Sequence, residues 1–218
     1  MNLSEWLPRL AEAAGDTLFM VGLTTLFTAL IGLPLGVLLV VTDRRGLAPA
    51  PLFNQTLGAI VNAGRSLPFI ILLVAVLPLT RAIVGTTIGS TAAIVPLTLA
   101  AIPFFARVCE NALREVDHGL VEAAQAMGCG PGQIIWKVLL PEARPGLVLA
   151  LTVTIISLIG YSAAAGAVGS GGLGDLAIRY GYQRFETEVM VVTVALLLAL
   201  VQLVQFLGNL AARRLARR

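Results

Sequence analysis

Charge is what this sequence has least of. Only 12% of its 218 residues are Asp, Glu, Lys or Arg, against 57% apolar residues and a mean hydropathy of +0.90. Soluble domains carry about twice that charged share, so a water-soluble globular fold is excluded. The long apolar runs exclude a disordered chain as well. Histidine and lysine occur once each (His118, Lys137), and cysteine twice (Cys109, Cys129), without a CxxC spacing. A zinc site needs about four ligands of these types, and nucleophilic catalysis needs a base beside its Ser or Cys. Both a metal centre and enzyme chemistry are therefore disfavoured. The net charge of +3 comes from scattered arginines, with no basic stripe to track phosphates, so no nucleic-acid partner is expected.

The apolar residues are gathered into runs. Segments 17–42, 82–106, 145–174 and 189–212 contain no charge at all. Each exceeds the ~20 residues an α-helix needs to cross the hydrocarbon. A further stretch, 57–79, is interrupted by Arg65. The prediction is an all-α, polytopic membrane protein with five transmembrane helices. A β-barrel would show shorter, alternating segments.

Orientation follows from the cations. With the N-terminus outside, Arg44, Arg45, Arg65, Arg107, Arg114, Lys137, Arg144, Arg213, Arg214, Arg217 and Arg218 fall inside, and only Arg9, Arg81, Arg179 and Arg184 outside. Eleven against four is a strong positive-inside bias. The leader carries Glu5, Glu12 and Asp16 against Arg9, unlike a signal peptide, so the first run is expected to stay as a membrane helix. Pro34, Pro68, Pro78, Pro96 and Pro103 lie in or beside the spans, as helix bends or as hinges around a pathway. Arg65 either snorkels to the headgroups or serves helix–helix contacts. No Asp or Glu lies within a span, which argues against the proton or cation relay of a secondary carrier.

The longest polar stretch is 107–144. Glu110 and Arg114 are spaced i,i+4 for a weak surface pair. With Gly119 as N-cap, Glu122 would occupy the third helical position, where a carboxylate favours the positive helix end. Gly128, Gly130 and Pro131 then stop that helix and open another over 132–140, ended by Pro141. The reading is a helix–turn–helix on the cytoplasmic face, where Cys109 and Cys129 stay reduced thiols.

The spacing Glu122-Ala123-Ala124, Gly128, Val138-x-Leu140-Pro141 resembles the EAA signature of permeases in binding-protein-dependent ABC importers, with Val138 where the signature has isoleucine. The segments 65–73, 94–98, Gly160-Tyr161-Ser162 and 166–174 are similar to those of the membrane subunits of bacterial methionine importers. That similarity runs from the first span to Gln205-Phe206. Ala163, Ala164 and Ala165 stand where several members carry a bulkier residue.

The resemblance implies a type I importer permease, one transmembrane domain over 1–218 with a coupling loop at 107–144. Glu122, Ala123, Ala124, Gly128, Val138, Leu140 and Pro141 would form the ATPase-coupling loop. By the same resemblance two copies pair about a two-fold axis, two separate ATPase subunits carry ATP and Mg, and an external binding protein delivers methionine, its D isomer included. The chain itself would bind no cofactor and sit among lipids of the bacterial inner membrane. Tyr161 and Ser162 are pathway candidates, polar groups in an apolar run that could equally bond a neighbouring helix. The glycine-rich run 166–174 lacks the GxxxxGK of a nucleotide loop. It suits tight helix packing or an external turn, and the resemblance adds a role near the outer gate. Two alternatives stand beside this reading: the same architecture serving another small solute, and an ATP-independent channel or carrier, which would not need the EAA loop.

Overall fold

The computed structural model describes residues 3–216, with side chains from Trp6 onward. Arg217, Arg218 and the Glu5 side chain lie outside the described residues. Among the described residues, four helices are long and apolar enough to cross a membrane: α1 (Leu3–Val41), α5 (Ser90–Arg114), α9 (Arg144–Gly166) and α11 (Thr187–Ala216). Helix α1 starts well before its charge-free run. Trp6, Leu10 and Ala13 recur at i, i+4 and i+7, and this stripe packs on Leu173, Leu176 and Val189 at one end of the bundle.

The fifth span is not straight. Helix α2 (Pro51–Ser66) and α3 (Phe69–Ala75) meet at 100°, so the count is four spans, or five if this bent pair is one. The cause is local. Pro68 disfavours a helical residue before it, and Leu67 is extended at φ −81°, ψ 126°. A short α4 (Leu77–Val84) follows and ends on left-handed Gly85. The stretch 57–79, counted as one span in the sequence, is thus built from three helical pieces.

Helix α5 is the hub, with 44% of its most apolar window buried against 11% for α11, which lies at the periphery. Leu97 and Ala101 pack with Met20 and Val21 of α1 and with Leu158 and Ile159 of α9. Close approach of α1 and α5 depends on small residues: a Cβ on Gly36 would stand 2.7 Å from the Cβ of Cys109. At ~1.5 Å per residue the long helices carry the chain between two ends. The loop end gathers the last turns of α1 and α5 and the 107–144 loop. The glycine end gathers the start of α1, α10 (Gly172–Leu176) and the 166–174 run.

Candidate functional site

The loop begins where α5 stops. Asp117, not Gly119, caps the next helix: its Oδ1 accepts from the Gly119 N–H at 2.8 Å. Asp outranks Gly as an N-cap because its side chain satisfies an orphan donor. Helix α6 therefore spans His118–Ala126, and Glu122 lies two positions beyond the predicted third one, too far into the helix for a capping-box role. Glu122 and Ala123 are exposed, whereas Ala124 is buried and turned toward the protein. Met127 is 77% exposed. Gly128 takes φ +81°, the left-handed stop expected of it, and an added Cβ would meet nothing within 4 Å. Any close approach at Gly128 must come from another molecule.

Pro131 opens α7 (Pro131–Ile134), and the Gly130 N–H donates to Gln133 Oε1 at 3.2 Å. The helix does not end at Pro141. It widens into a π-helical turn over Ile135–Leu139, then continues as α8 (Leu140–Glu142) up to a break at Ala143. Pro141 has no N–H for the carbonyl of Lys137, and the Leu140 N–H reaches back to Ile135 instead. Val138, Leu140 and Pro141 are half-buried around Leu139, which packs with Leu113 and Ala143. The two halves of the predicted loop thus differ. Apart from buried Ala124, most of 122–128 faces outward, and 138–141 hold the loop to the bundle.

The Glu110–Arg114 pair is not a surface contact. Glu110 is 5% exposed and accepts from both neighbouring arginines: Arg107 Nη1 at 2.6 Å, Arg114 Nε at 3.0 Å and Arg114 Nη2 at 2.9 Å. The remaining donors reach other helices. Arg107 Nη2 donates to Asn62 Oδ1 of α2 at 2.8 Å. Arg114 Nη1 donates to Asp43 Oδ2, just past α1, at 2.8 Å. The Arg114 bond, followed by the Arg44 backbone N–H, holds the Asp43 carboxyl below its ordinary pKa. Asn54 adds a second tie between α2 and α1, donating to the Leu39 carbonyl at 2.6 Å. Next to this network a cavity of about 500 Å³ separates the turn at Asp43, Arg44 and Arg45 from His118, Glu122 and Gln125 of α6.

Farther along, Tyr161 is half-buried and stacks on Phe69 of α3, with ring centroids 4.8 Å apart. Ser162 is buried, and its hydroxyl donates to the Ile159 carbonyl at 2.8 Å. The glycine run packs rather than dangles: a Cβ on Gly174 would collide with the backbone of Ala163, and one on Gly166 with Gly174 and Asp175. The Leu173 N–H donates to the Thr17 hydroxyl at 2.9 Å, tying this run to α1. Cys109 and Cys129 are free thiols. Among the described residues, no three His, Cys, Asp or Glu side chains gather around a common point.

Residues 32–218 match the family described as binding-protein-dependent transport system inner membrane component. The chain is 53% identical over 209 residues to the probable D-methionine transport system permease protein MetI of Vibrio cholerae, covering 96% of this chain and 93% of that one. It is 55% identical over 161 residues to the D-methionine transport system permease protein MetI of Escherichia coli, covering 74% and 73%. A solved structure of the MetNI methionine ABC transporter, in an inward-facing conformation, superposes with a TM-score of 0.95 at 51% identity, covering 97% of this chain and 98% of that one. An amino acid ABC transporter crystallised with histidines shares the fold, with a TM-score of 0.80 at 18% identity over 97% of this chain and 96% of that one.

Proposed function

The chain belongs to the family of binding-protein-dependent transport system inner membrane components, and from that premise we propose that it is the permease subunit of an ATP-driven methionine importer. The single observation that carries the proposal is an outward-facing helix-turn at 122–128 in a chain 53% identical, over 96% of its length, to a relative named for D-methionine transport. The whole of 1–218 acts as one permease domain, multi-pass in the inner membrane. Its N-terminus is outside and its loop end cytoplasmic, as the arginine asymmetry requires.

Two copies surround the passage, two ATPase subunits bind ATP and Mg and dock on the loops, and an external binding protein supplies methionine in either stereochemical form. The chain performs no covalent chemistry. Glu122, Ala123 and Gly128 form the docking face, where a glycine lets an ATPase groove come close. Val138, Leu140 and Pro141 anchor that face through the core around Leu139. Arg114 ends α5 just ahead of α6 and is bonded to Glu110 and Asp43, while Arg107 joins the same Glu110 to Asn62 of α2. A displacement of this end therefore reaches α1, α2 and α5 together. Tyr161 and Ser162 are assigned to the pathway; the Tyr161 ring stacks on Phe69 of α3, and Ser162 is buried.

The test is reconstitution with the ATPase and binding protein that co-purify with the chain. L- and D-methionine uptake should require ATP. Uptake without ATP, or uptake of an unrelated solute alone, would overturn the proposal.

A further inference from the structure

Arg65 is the charge that reaches deepest into the spans from the loop end. It lies in the last turn of α2, is exposed, and makes no hydrogen bond or ion pair with any described residue. Its neighbour Gly64 rests against Pro103 of α5, where an added Cβ would stand 2.9 Å from the proline ring. That contact places Arg65 about one helical turn beyond the Arg107–Asn62 hydrogen bond, level with the charge-free part of α5. Ionisable side chains in such segments face a bundle interior or water, because hydrocarbon disfavours them.

The rest of α2 supports a wet side. At ~100° per residue, Gln55, Asn62, Arg65 and Ser66 share one side of the helix, and all four are exposed. Phe53 and Ile60 are also exposed but occupy a different side, the one suited to lipid. Just past the bend, Phe69 and Tyr161 present stacked aromatic rings.

We propose that Arg65 lines the passage and binds the α-carboxylate of the amino acid in transit. The proposal rests on the permease reading and adds to it a recognition group. A guanidinium offers parallel N–H donors that match a carboxylate two to two, and among the described residues no acceptor competes for them. Both stereoisomers carry the same carboxylate, so this contact admits L- and D-methionine alike. The thioether side chain is left to the aromatic pair. In a two-copy assembly each copy contributes one Arg65, and the like charges make the passage attractive to an anionic group.

The experiment uses the reconstituted complex carrying Arg65→Cys in a Cys109→Ala/Cys129→Ala background. Uptake should fall about tenfold while the complex still assembles, and Arg65→Lys, which keeps charge but loses the fork, should fall less. A water-soluble methanethiosulfonate bearing an ammonium group should label the introduced thiol, and saturating methionine should slow that labelling. The cationic adduct should restore part of the uptake, whereas a sulfonate reagent should label the thiol and restore nothing. A thiol that does not react faces lipid, and labelling indifferent to methionine with no charge rescue indicates a headgroup contact; either result overturns the proposal. Wild-type uptake in Arg65→Cys overturns it too and leaves the permease reading standing. Absence of methionine uptake by the wild-type complex removes both.

Discussion

The two ends of this bundle are held by opposite means. At the glycine end, Gly166 and Gly174 let α9 and α10 touch backbone to backbone, and Trp6 meets Tyr180 edge-on at 5.0 Å with Arg9 and Arg184 over the rings. At the loop end, five polar side chains from Asn62 to Asp43 form a chain of charged hydrogen bonds beside a cavity of about 500 Å³. Contact between backbones leaves nothing to rearrange. Charged hydrogen bonds on flexible arginines can be remade in a second geometry. One end is fixed by backbone contact; the other is the end that the proposed function requires to move.

The largest effect should come from breaking the glycine end. Gly174→Leu puts a side chain into the Ala163 backbone, and over-packing of this kind costs roughly 3 kcal/mol or more where backbone cannot yield. Thermal unfolding of the purified protein should show the loss directly. Glu110→Ala comes next. Removing one member of a fully buried pair costs about 3–5 kcal/mol and of an exposed pair under about 1; Glu110 is buried but its arginines are partly exposed, so about 2 kcal/mol is expected. The same unfolding measurement checks it, and no change would mean that the arginines are satisfied by water.

Gly128→Ala should cost only about 1 kcal/mol, from the left-handed backbone alone, since no neighbour would be touched. Its effect on stability should be far below that of Gly174→Leu. Asp43→Asn is the mildest, within about 1 kcal/mol, because the Arg114 pair is largely solvated. The pKa of Asp43 is lowered in the folded chain, so its contribution is present above the unfolded carboxylate range and is lost as pH falls through the folded value. Neutral-pH stability should therefore not vary through Asp43. The wild type should lose its small advantage over Asp43→Asn only in acid.

The sequence disclosed these two ends unequally. The four unbroken spans are legible because hydrocarbon disfavours charge, and charge-free runs map onto α1, α5, α9 and α11. Pro68 signals a break, but its 100° angle depends on how α3 packs, which no local pattern encodes. The Trp6, Leu10, Ala13 stripe is a helical period in the leader, masked by Pro8, Arg9 and Glu12 between its members. Gly128 was readable from its neighbours alone, as left-handed stops usually are. Asp117 is the better cap than Gly119 on sequence alone, because its carboxylate can accept a backbone N–H and glycine has no side chain to do so. The tie from Arg114 to Asp43 bridges 71 residues, so a pair that looks like an ordinary i,i+4 contact gave no sign of its third partner. The π-helical turn had a signal in Pro141, which removes the N–H that a regular turn would use.

The central claim is that the loop end passes motion from an ATPase to the spans, and Gly128→Asp tests it most directly. An added Cβ at Gly128 meets nothing within 4 Å, so membrane insertion should match the wild type. The measurement is ATP-driven methionine uptake in proteoliposomes, alongside ATPase co-purification, for Gly128→Asp and the wild type. The account predicts wild-type insertion with uptake lost or uncoupled from ATP hydrolysis. Wild-type uptake and full ATPase recovery in the variant would contradict it.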